Sequence, residues 1–123
     1  MIREAAASDR EALATILYRA SRDVFPLAGI ERVDAAEFDR QTAGESILVA
    51  EKDDRPVGFS SVWDPDHFLH HFFIDPAYHR HGIGRSLMVA TMMRYGSALS
   101  LKCNTSNTTA RTFYRAMGWI ETD

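Results

Sequence analysis

The feature that most restricts how this chain can fold is a change of hydrophobic period between His67 and Cys103. "HFLHHFFI" alternates as a strand does, "DPAYHRH" breaks the pattern, "GIGRSLMVATMMRYGS" repeats at helical spacing, and "ALSLKC" reads as a strand again. Strand, helix and strand in that order predict a right-handed crossover, so the strands on either side of the helix should be parallel. Upstream, "SILVAEK", "VGFSSVW" and "HFLHHFFI" are separated only by "DDRP" and "DPD", which predicts an antiparallel meander. A meander that runs into a crossover makes a mixed central sheet, and the expected fold is α/β, one domain over residues 1–123.

The remaining segments complete the layers. "MIREA" reads as a first strand and "ASDREALATILYRAS" as a helix, with Ser8 and Glu11 spaced as a capping box and Ala12, Ile16 and Arg19 against Leu13, Leu17 and Ala20 giving a helical stripe. "DAAEFDRQT" reads as a second helix, and "NTTARTFYRAMG" as a last one closed by Gly118. Regular alternation along "HFLHHFFI" places His70 with Phe68, Phe72 and Ile74 on one face, and His67 with His71 on the other.

Composition excludes several classes. The net charge of -3 leaves no global basic footprint for nucleic acid. A single cysteine, Cys103, forms no internal disulfide, the N-terminus lacks a signal-peptide core, and no apolar run nears the ~20 residues a membrane span needs. The expectation is a cytoplasmic protein with neither nucleic-acid nor membrane partners.

Gly82 and Gly84 stand where a strand end passes through a loop into a helix. Unpaired N–H groups and the positive end of the helix dipole collect there, and glycine lets a bulky anion approach the backbone. Arg80, Arg85, His79 and His81 add local positive character. The spacing fits neither a Walker loop, since Arg85-Ser86 follow too soon, nor a dinucleotide fingerprint, which wants a small residue where Leu87 stands. All five histidines fall between His67 and His81. No Cys, Asp or Glu cluster in the sequence completes a tetrahedral set with them, so no metal is expected. Cys103 reads as a small packing residue.

Two spaced motifs carry a resemblance. "HRHGIG", His79 to Gly84, is similar to the pyrophosphate loop of GNAT-type N-acetyltransferases, Gln/Arg-x-x-Gly-x-Gly/Ala, with His79 in place of the usual first residue. "NTTARTFYRAMGW" resembles the family's second signature through Asn107, Ala110, Phe113, Tyr114, Gly118 and Trp119. The resemblance implies a GNAT-like domain that uses acetyl-coenzyme A and no metal. It implies that backbone groups of Phe72, Phe73 and Ile74 bond the pantetheine arm, and that His79, Arg80, His81, Gly82, Ile83, Gly84 and Arg85 wrap the pyrophosphate. Asn107 would contact the cofactor arm and Tyr114 would face the thioester sulfur. The implied reaction is direct attack of an amine on the thioester, with a backbone amide near Ile74 facing the oxyanion.

An amine arrives mostly protonated, and His70 is the candidate base: arylalkylamine members carry alternate histidines on this strand, one of which His70 matches while Phe68 replaces the other. Lys102 stands where some protein-acetylating members carry a carboxylate. Phe25 and Leu27 fall in the segment that usually builds the acceptor wall, and the acceptor would be a small-molecule or peptide amine. Family members continue past this point with two more strands, whereas this sequence stops at Asp123. A short last strand with an uncovered edge would favour a homodimer. The alternatives are a non-catalytic acyl-coenzyme A sensor of the same fold and a histidine-based metal-binding protein.

Overall fold

A computed structural model of the chain describes residues 1–24, 32–79 and 81–122. In chain order the elements are β1 (Ile2–Glu4), α1 (Arg10–Val24), α2 (Ala35–Gln41), β2 (Ser46–Lys52), β3 (Arg55–Trp63), β4 (Phe68–Ile74), α3 (Ile83–Tyr95), β5 (Ser100–Leu101) and α4 (Thr108–Ala116). The five strands form one sheet in the order β1-β2-β3-β4-β5. Every junction is antiparallel except β4 with β5, which is parallel and spanned by α3, as the change of period predicts.

Local chemistry explains the joints. Asp53 and Asp54 take positive φ of 54° and 61°, the conformation of a two-residue hairpin between β2 and β3. The turn before α1 is held by Asp9, whose Oδ2 accepts the Ala6 N–H at 2.7 Å, rather than by the Ser8–Glu11 pair that the sequence suggests. Arg3 forks onto the same carboxylate at 2.7 and 2.8 Å and reaches Glu51 with its Nε at 2.8 Å, tying β1, the α1 entry and β2 together. That guanidinium holds the Asp9 carboxyl below the usual range.

Each face of the sheet has its own core. Leu13, Ala14, Ile16 and Leu17 of α1 and Phe38 of α2 pack on Val49 and Phe59, with Phe73 against them. On the other face α3 lays Leu87 on Ala50 and Val57, and Met88 on Val62 and Leu69. Ser60 and Thr91 hydroxyls, 2.9 Å apart, satisfy each other beneath α3. Gly58 leaves room where β3 pairs with β4, because a Cβ there would press on the Phe73 carbonyl at 3.0 Å and displace the tip of Ile74.

Candidate functional site

The site begins as an unpaired edge. β5 pairs with β4 only at Phe68↔Ser100 and Leu69↔Leu101, so it is shorter than the "ALSLKC" stretch suggests, and β4 runs on alone to Ile74. On its other side β4 stays paired to β3, and the Asp75 N–H donates to the Val57 carbonyl at 2.7 Å. Antiparallel alternation from that bond turns the amides of His71 and Phe73 toward β3 and leaves the N–H and C=O of Phe72 and Ile74 on the open edge. The Ile74 carbonyl has a neighbour there, His79 Nε2 at 3.2 Å. Phe73 itself packs in the α1 and α2 core, so of the three residues read for this edge it offers its backbone to β3 instead.

The strand then enters the glycine loop. Asp75 is buried, accepts the Ala77 N–H at 3.0 Å, and is held by Arg19 of α1 at 3.0 Å. Gly82 has φ +75°, open space where a Cβ would lie, and caps α3 with no side-chain hydrogen bond. The first turn of α3 therefore presents its N–H groups past a backbone conformation that glycine supplies at little cost. Ile83 and Gly84 are half-buried, while His79, His81 and Arg85 are exposed around them. A Cβ on Gly84 would touch Ile74 and Phe113 at 3.7 Å, so this glycine keeps the seam between β4 and α4 narrow but open. Lys52, at the far end of β2, brings its Nζ to 3.1 Å from His81 Nδ1 and adds a cation to the loop. Arg80 lies outside the described residues, as do Phe25 and Leu27.

Near the start of β4 the regular alternation fails. Ser61 pairs with His71 but Val62 pairs with Leu69, so His70 is an extra residue in a β-bulge. The bulge shifts the phase: Leu69 and Phe72 both face the α3 and α4 side, and His71 and Phe73 face the other. His70 and His71, expected on opposite faces, instead lie ring beside ring with centroids 3.9 Å apart. His67 is not on the strand at all; it sits in the preceding turn at φ 48°, near the Tyr95 ring.

Both imidazoles meet a carboxylate from another element. The turn after α2 uses Gly44 at φ +78°, where a Cβ would strike the Trp63 ring at 2.9 Å, and delivers Glu45 to β4. Glu45 has a side chain only 6% exposed, with Oε2 at 2.7 Å from His70 Nδ1 and Oε1 at 3.8 Å from His71 Nδ1. Oε1 has no hydrogen-bond partner among the described residues. His71 is buried, shares a 2.8 Å contact with Ser61 Oγ, and is pushed down to about 4 by burial and by the neighbouring His70, so at neutral pH it is uncharged. The His70 side chain, 42% exposed, keeps its ring open to solvent.

Tyr114 stands on the opposite face, half-buried beside Phe113 and Trp119. Burial, with Cys103 nearby, pushes its phenol up to about 12. It borders a pocket of about 340 Å³ with Leu101, Cys103 and Arg111. Phe113 stacks on Phe72 with centroids 5.7 Å apart and closes the seam from the α4 side. Asn107 caps α4, its Oδ1 accepting the Ala110 N–H at 3.2 Å, which leaves the amide nitrogen for other contacts. Burial raises the Cys103 thiol, the reverse of what a nucleophile needs.

The structure thus gathers Phe72, Ile74, His79, Gly82 and Gly84 along one open edge and puts His70 and Tyr114 on opposite faces of the same strand. An extended ligand can be bonded at that edge, an anion held at the helix start, a proton taken on one face and a hydrogen bond given on the other. Sequence reading missed Glu45, Lys52 and Asp75. Glu45 and Lys52 reach the site from 25 and 29 residues away, contacts that no local pattern announces.

A family model described as the acetyltransferase (GNAT) domain matches residues 16–123. Among solved structures, the chain is similar to a GCN5-related N-acetyltransferase from Rhodopseudomonas palustris at 21% identity and a TM-score of 0.81, covering 100% of this chain and 82% of that one. It is similar to the PaiA N-acetyltransferase from Thermoplasma acidophilum, solved with coenzyme A, at 18% identity and TM-score 0.79, covering 100% and 92%. A ribosomal-protein-alanine N-acetyltransferase from Brucella melitensis aligns at 23% identity and TM-score 0.79 over 100% and 86%. No curated protein sequence matches the chain. The family match over most of the chain, on a mixed sheet that opens beside a glycine turn, means that this protein belongs to the GNAT acetyltransferases.

Proposed function

We propose that the chain is an acetyl-coenzyme A-dependent N-acetyltransferase that moves the acetyl group directly to a primary amine. The observation that carries this reading is β4 itself: one open edge, with a histidine–carboxylate pair on one face and a phenol on the other. Bound acetyl-coenzyme A supplies the activated acyl group. Phe72 has both backbone groups and Ile74 its N–H for the pantetheine arm, and Gly82 to Arg85, with His79, His81, Lys52 and, by the motif, Arg80, suit its pyrophosphate. Asn107 reaches that arm through its free amide nitrogen.

Glu45 accepts the Nδ1 proton of His70, which fixes the tautomer and leaves Nε2 as the acceptor for a proton from the incoming ammonium. Tyr114 hydrogen-bonds the sulfur as coenzyme A departs. With the phenol near 12 and a thiol at ~8.5, full proton transfer would be uphill by about 3.5 units, so Tyr114 stabilises thiolate without giving up its proton. Placing the base and the phenol on opposite faces separates the entry of the amine from the exit of the thiol.

The acceptor is a small-molecule or peptide amine; the Brucella melitensis neighbour is named for a ribosomal-protein alanine. The outer edge of β5 invites a second copy, giving a homodimer in a cytoplasmic setting. Among the described residues no helix is long and apolar enough to cross a membrane.

Thiol release from acetyl-coenzyme A across a panel of amines tests the reading. Turnover with at least one amine class and its loss in Tyr114→Phe and His70→Gln are expected; no turnover with any class would remove it.

A further inference from the structure

The Glu45–His70–His71 cluster holds more than a base needs. A histidine base requires one carboxylate oxygen on one ring nitrogen, and His70 with Glu45 Oε2 already provides that. The second imidazole and the second oxygen are unexplained. Glu45 Oε1 is buried and unpartnered among the described residues, on a side chain that is only 6% exposed. A buried carboxylate oxygen left without a donor is costly, so the cluster is short of one positive or hydrogen-bonding group.

We propose that Glu45, His70 and His71 form a binding site for one divalent transition-metal ion of the zinc class. The donor set is two imidazoles and a carboxylate, the combination zinc takes in open three-ligand sites. One ligand atom from each of the three residues lies within 4.8 Å of the others. Zinc–nitrogen bonds of about 2.0–2.1 Å place tetrahedral donors roughly 3.3 Å apart. The His71 Nδ1–Glu45 Oε1 separation of 3.8 Å closes to that with a small movement, and the His70 Nδ1–Glu45 Oε2 contact of 2.7 Å opens to it. The His70 ring is on the exposed side, so its opening is a rotamer change, not a backbone shift. Ser61 Oγ, now on His71 Nδ1 at 2.8 Å, yields that lone pair to the metal. The fourth position faces solvent beside His70.

The bulge is what makes this site. Without the extra residue, neighbouring side chains on a strand point apart, and one carboxylate could not face both rings.

Metal at His70 Nδ1 would leave the remaining ring proton on Nε2, converting the acceptor nitrogen into a donor. Occupancy therefore switches off the base, a consequence that rests on the function proposed above.

The test uses the full chain with any polyhistidine tag removed. Cobalt(II) added to the cofactor-free protein should give the intense visible absorption of a four-coordinate ion at one equivalent, and zinc should displace it. His70→Ala, at an exposed position, and Glu45→Gln should each weaken cobalt binding by about ten- to a hundredfold, with folding checked by circular dichroism. The double variant His79→Gln/His81→Gln should bind as the parent does. A weak six-coordinate spectrum, unchanged affinity in His70→Ala, or loss of binding in the loop double variant would overturn the proposal. The two readings fail separately: acetyl transfer in chelator with no four-coordinate spectrum rejects the metal site alone, whereas metal binding without transfer to any amine upholds it and rejects the enzyme reading. Where transfer is present, zinc should suppress it over the concentrations that displace cobalt.

Discussion

The meander and the seam of this molecule are built on different terms. β2, β3 and β4 pair along nearly their whole lengths, and Val49, Val57 and Phe59 between them are wholly buried. Past β4 the pairing drops to Phe68 with Ser100 and Leu69 with Leu101, and α4 has half-buried aromatic side chains but no fully buried residue. The first region satisfies itself. The second leaves backbone groups, an aromatic stack and a glycine turn with capacity to spare, which is what a site for a long, flexible, charged ligand requires.

That contrast can be broken most directly by truncating one aromatic in each region. Phe59→Ala should cost about 3–5 kcal/mol in urea unfolding, as a fully buried ring does, and Phe113→Ala clearly less, while weakening coenzyme A binding more. Equal stability costs would mean that the seam is as tightly packed as the meander. Next in size is the buried His71. Its folded value near 4 lies below the unfolded ~6.5, so between these the unfolded chain binds more protons and stability falls as pH falls; above about 6.5 the contribution is flat. The full effect is on the order of 3 kcal/mol by pH 4, read as the difference in urea midpoints between the parent and His71→Leu across that window, and parallel profiles would reject it.

On the seam, Tyr114→Phe should lower kcat on the order of a hundredfold while coenzyme A affinity, measured by calorimetry, stays nearly the same. Equal loss of both would make the phenol a binding group. Gly82→Ala forces a side chain to φ +75° and should cost roughly 1–2 kcal/mol, with a loss of coenzyme A affinity that the strain alone would not produce. The smallest effect is expected of Asn107→Ala, about 1 kcal/mol from the lost α4 cap, detected as a lowered melting midpoint.

How much of this was legible in the sequence divides along the same line. The change of period announced the crossover, and the glycines that stop helices are where their conformation demands them: Gly96 at φ 67° after α3 and Gly118 at φ 90° after α4. The open edge followed from the motif resemblance. The bulge did not, because "HFLHHFFI" alternates well enough on its own and only the partner strand reveals that Ser61 and Val62 skip a residue. For the same reason His70 and His71 read as opposed when their rings lie side by side, and Glu45 read as nothing at all. The Ser8–Glu11 spacing was a local signal that a stronger non-local one displaced, since Arg3 draws Asp9 into the capping position.

The skipped residue has a consequence for tolerance to change. Substituting His70 alters a side chain, but deleting it would force one end of the strand through half a turn about its axis. Either Leu69 would leave the α3 side on which it now packs, or Phe72 and Ile74 would exchange sides with Phe73, each landing in a core shaped for the other. Chain length at this point is therefore held as firmly as chemistry, and a one-codon deletion here should be far more harmful than any single replacement.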